Sequence, residues 1–249
     1  MGRIKLLNIV VDNVSMEEAL EAIDEIILKK DKSYVVTPNV DHIVKLEYDE
    51  EFKKVYKNAD LILADGMPLI WISKLMGTPL KEKVSGSDIF PKICKMASEK
   101  GYKIYLLGAA EGVAQKAAEN LKLKYNNLNV VGCYSPKYGF ENDEAEINKI
   151  IKLVNKAKPD ILVVGLGAPK QEKFIFNYKD KLNVPISLGL GASIDFEAGN
   201  IKRAPKWMQR LGLEWLYRLI KEPKRMYKRY LIDDIKIIKL YFKYRRGVD

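Results

Sequence analysis

The residue with the clearest claim to chemistry is Asp65. It ends the apolar run in DLILADG (60–66) and is followed by Gly66. A carboxylate at the end of a buried strand is partly desolvated. That raises its pKa and suits it to take a proton from a hydroxyl. The structural alternative is a cap for a helix beginning near Pro68. Thr37 and Asn39 flank Pro38 at a neighbouring strand end. They offer neutral hydrogen-bonding groups to sugar hydroxyls or a phosphate, although turn chemistry also explains Thr-Pro-Asn. Three glycine turns follow apolar runs: LGAAEG (107–112), GLGAPKQE (165–172) and GLGAS (189–193). Gly108, Gly165 and Gly167 in such turns let the backbone approach a phosphate closely. Lys170 and Gln171 open a helix after the second turn, where donors to a diphosphate would help. None of these turns has the G-x-G-x-x-G or Walker A spacing, so none is specific alone. Three on one sheet edge point to a nucleotide or phospho-sugar site. His42 has no nucleophile placed beside it by sequence and reads as structural.

A metal is not expected. One histidine and two separated cysteines argue against zinc. No Asp-x-Asp stands at a strand end, so the usual metal–diphosphate clamp is missing, and protein donors must stabilise a leaving diphosphate. No cofactor is called for. Cys94 and Cys133 read as reduced thiols of a cytosolic protein. The first residues lack the apolar core and cleavage site of a signal peptide. No run of about 18 apolar residues suggests a membrane-spanning helix.

These residues need a scaffold that brings strand ends together. Strand-like runs at 3–11, 33–39, 60–66, 103–108, 160–165 and 184–189 alternate with helical patterns of ten to fifteen residues. Ser15 and Glu18 form a capping box, and Ser87 is placed to cap the helix running to about Lys100. Such alternation predicts an α/β fold with a mostly parallel sheet covered on both faces, ligands binding beyond the carboxyl ends of the strands. A chain of 249 residues fits one large domain or two small ones. The texture changes near residue 200, which divides the chain into an α/β catalytic domain (1–202) and a helical appendage (203–249).

The net charge of +10 is carried entirely by the last fifth of the chain, where residues 202–249 hold 15 Lys/Arg against 5 Asp/Glu. A neutral body with a basic tail implies an anionic partner. At about 100° per residue, Arg225, Lys228, Arg229, Lys236, Lys239 and Lys243 share one arc of a helix over 225–243. Tyr227, Tyr230, Leu231, Ile235, Ile238, Tyr241 and Phe242 take the other side. This is the profile of a helix lying in a membrane interface. Packing of its apolar side on the body is the structural alternative. Nucleic acid is disfavoured, because the neutral body offers no basic groove or recognition motif. Self-association through apolar surface near the tail is also expected.

The segments TPN (37–39), ADGMP (64–68), KVSGSD (83–88), LLGA (106–109), GLGAPKQE (165–172) and 189–225 run in order along the chain. In them the sequence closely resembles the WecG/TagA/CpsF family of bacterial glycosyltransferases. The resemblance implies a metal-independent, inverting enzyme with a Rossmann-like fold. It implies transfer of an N-acetylmannosamine-type sugar from UDP to GlcNAc on an undecaprenyl diphosphate carrier, on the cytoplasmic membrane surface. The TagA-like branch builds the linkage unit of wall teichoic acid; the WecG-like branch transfers N-acetylmannosaminuronate instead, and no spacing here identifies the extra cation a uronate would want. Carried over by resemblance, Asp65 is the base and Thr37, Asn39 and Gln171 are its substrate-contacting neighbours. Arg218 and Arg225 match tail arginines, and Lys228 stands at the next basic position. Position 83, commonly Arg in the family, is Lys83 here, which keeps the charge but loses bidentate geometry. A non-catalytic, sugar-nucleotide-binding membrane scaffold is the competing reading; Asp65 among polar neighbours is what a scaffold does not need.

Overall fold

The computed structural model describes residues 2–245. Six strands form the central sheet: β3 (Ser33–Val36), β4 (Leu61–Ile62), β5 (Lys103–Gly108), β6 (Asn129–Tyr134), β7 (Ile161–Gly165) and β8 (Ile186–Gly189). Their order is β4-β3-β8-β7-β5-β6, and every pairing is parallel. This is a Rossmann-like α/β arrangement, as the alternation predicts. Residues of one strand alternate between two cores. Val36, Leu107, Leu162 and Val164 face one; Val35, Leu106, Ile161 and Val163 face the other. Both faces being buried explains why these strands read as continuous apolar runs.

The first run differs from its expectation. It is a hairpin, β1 (Arg3–Leu6) and β2 (Ile9–Asp12), paired antiparallel. Leu7, with φ 54°, turns the chain, and a leucine in the left-handed region gives no turn signal in sequence. The hairpin serves the sheet edge: Asp12 Oδ2 accepts the Ile62 N–H at 2.8 Å. Ser85, not Ser87, caps the helix Gly86–Lys100, its hydroxyl accepting the Asp88 N–H. The alternate register puts Ser87 inside the helix.

The connection after β3 leads outward to β4, whereas the one after β8 leads to the helix Ser193–Glu197, which packs on Val113–Lys124. The crevice between these departures opens at the carboxyl ends of β3 and β8. Thr37 Oγ1 spans it, donating to the Gly189 carbonyl at 3.1 Å.

The basic tail is not one helix. It breaks into Lys206–Arg210, Glu214–Lys221, Pro223–Lys228, a single π-type turn at Arg229–Asp233, and Lys236–Arg245. The break divides the arc of cations that a continuous helix would align. The last of these helices packs on Val40–Leu46: Leu240 is buried in the core, and Tyr244 donates to Glu47 Oε2 at 2.9 Å. Lys243 also pairs with Glu47, and Lys236 with Asp233. Residues 246–249 of the tail lie outside the described residues. Among the described residues, no helix is long and apolar enough to cross a membrane.

Candidate active site

A cavity of about 1110 Å³ lies over the carboxyl ends of β3, β4 and β8. Small-molecule pockets typically hold about 300–1,000 Å³, so this one is at the upper end of the range. One wall is the sheet edge with Thr37, Asn39, Asp65 and Gln171; the other is the tail with Arg218, Arg225, Lys228 and Arg229.

Asp65 stands just past β4, its backbone N–H held by the Pro38 carbonyl at 2.8 Å. Asp65 is partly buried at the cavity wall, and desolvation pushes the pKa of its carboxyl up to about 6. Lys83 pulls it down; Glu214 and Asp88 push it further up. The capping alternative fails, because Gly66 occupies the cap of Met67–Leu75 and no side chain bonds there. Gly66 has φ 109°, a conformation that swings the helix away from Asp65 and that other residues rarely adopt.

The neighbours of Asp65 are held by protein partners. Gln171 is buried; its Nε2 donates to Glu172 Oε1 at 2.7 Å and its Oε1 accepts the Gly191 N–H at 3.2 Å. Glu172 is wholly buried, and desolvation raises its pKa to about 7. Asn39 caps the helix Val40–Leu46. Lys83 pairs with Asp88 at 2.6 Å. Asp88 also accepts from Ser85 at 2.6 Å and from Arg203 at 2.8 Å, and these cations help hold its carboxyl near 2 despite burial. Arg203 reaches on to Glu214, so Asp88 clasps the start of the tail to the body. His42 is structural, as the sequence suggests. Its Nδ1 lies 2.7 Å from the Tyr56 hydroxyl, and burial depresses its pKa to about 3.

The tail wall is different. Arg218 lies over the Phe196 ring and 4.0 Å from Glu222, and its Nε is buried without a hydrogen-bond partner. Arg225 pairs with the other oxygen of Glu222 at 2.9 Å. Arg229 was grouped by sequence with the outward cations of a tail helix, yet the π-type turn carries it inward, where Nη2 donates to Asn39 Oδ1 at 3.2 Å. Its place beside Lys228 gave no sign of this, because the inward direction depends on the break in the helix.

Three residues singled out by sequence do not line the cavity: Gly108, Gly165 and Lys170. Gly108 answers to packing, since a Cβ there would lie 2.4 Å from the Gly165 carbonyl oxygen. Gly165 similarly faces the Gly191 carbonyl at 2.8 Å. Lys170 turns away to pair with Glu141, over the ring of Tyr138. Gly167 does line the cavity. Among the described residues no cluster of His, Cys, Asp or Glu could hold a metal ion.

Known proteins resemble this chain over most of its length. A protein of Bacillus subtilis (strain 168), named N-acetylglucosaminyldiphosphoundecaprenol N-acetyl-beta-D-mannosaminyltransferase, is 37% identical over 177 residues, 71% of this chain and 67% of that protein. One of the same name from Bacillus spizizenii is 34% identical over 193 residues, covering 78% of this chain and 73% of its own. Another from Staphylococcus aureus (strain MW2) is 27% identical across 90% of this chain and 87% of its own. The model of the glycosyl transferase WecG/TagA/CpsF family matches residues 4–248, and the chain belongs to that family.

Proposed function

We propose that the cavity transfers N-acetylmannosamine from UDP-N-acetylmannosamine to the GlcNAc of GlcNAc-diphospho-undecaprenol, the linkage-unit step of wall teichoic acid synthesis. The names of the relatives support the donor sugar and the lipid-linked acceptor. The observation that carries the chemistry is Asp65: a partly buried carboxylate with a raised pKa, lining a cavity whose opposite wall holds arginines. The acceptor hydroxyl attacks C1 of the sugar from the face opposite the leaving group, and Asp65 takes its proton. As the new C–O bond forms, the bond from C1 to the diphosphate breaks, and UDP departs with the electron pair. Arg218, Arg225 and Lys228 neutralise the charge that develops on it. A single displacement inverts the anomeric centre. In this reading residues 1–202 carry the base, and residues 203–249 supply the anion-binding wall.

We further propose peripheral attachment to the cytoplasmic face of the membrane, which the tail's outer surface supports. Tyr227, Ile232 and Phe242 are exposed outside the cavity, as are Lys224 and Lys239. Apolar side chains interleaved with cations suit an anionic lipid surface.

The test is UDP release from a panel of UDP-amino-sugars with a water-soluble GlcNAc-diphospho-lipid analogue. Release with UDP-N-acetylmannosamine, lost in Asp65→Asn, is the expected result. Binding without release for every donor would favour a scaffold and overturn the reading; preference for the uronate would reassign the donor.

A further inference from the structure

Asn39 is the point where the tail touches the sheet edge beside Asp65. Its Oδ1 accepts from Arg229 Nη2 at 3.2 Å and from the His42 backbone N–H at 3.4 Å. The two ends of an amide are not equivalent: the oxygen accepts and the nitrogen donates. Both protein donors fall on the oxygen. The Nδ2 end finds no acceptor among the described residues, and Asn39 lines the cavity together with Thr37 and Asp65. Arg229 arrives from 190 residues away in sequence, on the one π-type turn among the described residues. Such turns insert an extra residue and re-aim side chains, often at functional sites. The groups facing Arg229 are Asp234, 3.9 Å away, with Asp41 and Lys45 from the adjoining helix wall. None of these binds it as closely as Asn39 does.

We infer that Arg229 is a positioning residue: by donating to Oδ1, it holds the Asn39 amide with its N–H groups toward the cavity, as donors to an acceptor oxygen of the nucleotide sugar. This rests on the transferase reading above. It makes tail seating and the polarity of the sheet edge one event. With the tail withdrawn, the helix-capping N–H of His42 alone holds the amide. Arg229 thus acts through Asn39 and differs from the tail arginines assigned to the diphosphate.

A double-mutant cycle tests this, reading kcat/KM for the donor with a soluble acceptor in wild type, Arg229→Gln, Asn39→Asp and the double variant. Aspartate caps the helix as well as asparagine does, so the fold is kept, and it still accepts from Arg229. It has no N–H to give. Each single change is expected to lower kcat/KM about ten-fold, the loss of one hydrogen bond. The double variant should stay within about two-fold of Asn39→Asp. A double variant lower by the full factor of Arg229→Gln, or an Asn39→Asp enzyme of normal rate, overturns the inference. A second readout needs no turnover. The side-chain amide NMR signal of Asn39, identified by its loss in Asn39→Asp, should shift in Arg229→Gln; an unmoved signal also overturns it. Should wild type release no UDP, the transferase reading fails, and the amide signal alone decides the role of Arg229.

Discussion

The two walls of the cavity are built on opposite terms. On the sheet edge, Thr37, Gln171 and Lys83 already have protein partners. On the tail, Arg218 keeps a buried Nε without a hydrogen-bond acceptor, whereas Arg229 is committed to Asn39 through Nη2. Satisfied groups give shape and hold the base in place. Unspent donors in a low-dielectric cavity favour an incoming anion strongly. In the proposed reading, proton transfer falls to the sheet edge and charge neutralisation to the tail.

The sharpest way to break this division is Asp65→Asn. Losing a positioned base costs about 10²–10⁴-fold in rate, and the fold should be unchanged by thermal melting, because Asp65 does not cap Met67–Leu75 and asparagine keeps an acceptor for the Gly86 N–H. In wild type, the base must be ionised, so turnover should fall as pH drops through about 6. A variant with near-normal turnover would move proton transfer elsewhere. Next in size is Arg218→Ala. Hydrogen bonds to charged groups contribute about 1.5–3 kcal/mol, so turnover with a soluble acceptor should drop roughly 10- to 100-fold. Equal activity would make the tail an anchor alone.

A smaller effect separates anchoring from catalysis. Lys224 and Lys239 make no ion pair among the described residues, unlike Lys236 and Lys243. Replacing each with Ala should weaken binding to anionic vesicles by about 1 kcal/mol, more at low salt, and leave soluble turnover intact. A last effect, on stability and not on turnover, belongs to the buried carboxyl behind Gln171. Glu172 has a folded pKa of about 7, raised by burial from 4.5. Protons are therefore held more tightly in the folded state, and wild-type stability falls as pH rises from 4.5 to about 7. Glu172→Gln should raise the melting temperature above pH 7 and leave it little changed near pH 4.

The strands, their parallel arrangement and the place of Asp65 were legible because local patterns report burial on both faces. The capping reading of Asp65 was excluded only by the conformation of Gly66. The hairpin was hidden because a leucine makes its turn, and Gly108 was misread because its reason is a neighbouring strand. Lys170 stands at a helix start as expected, yet an ion pair with Glu141 takes it elsewhere. The tail was legible in charge and not in shape. Its cations sort by which side of a break they occupy, and that depends on contacts nearly 200 residues apart, such as Arg229 with Asn39.

The strand order has a consequence for how the chain is made. β8 is the last strand synthesised, yet it sits in the middle, joining β3 on one side to β7 on the other. Before it leaves the ribosome, the nascent chain can assemble only two separate ribbons, β4 with β3 and β7 with β5 and β6. Each ribbon exposes an apolar edge until residue 186 arrives to close the gap. Such late, non-local closure is slow, and it makes the unfinished chain a client for chaperones.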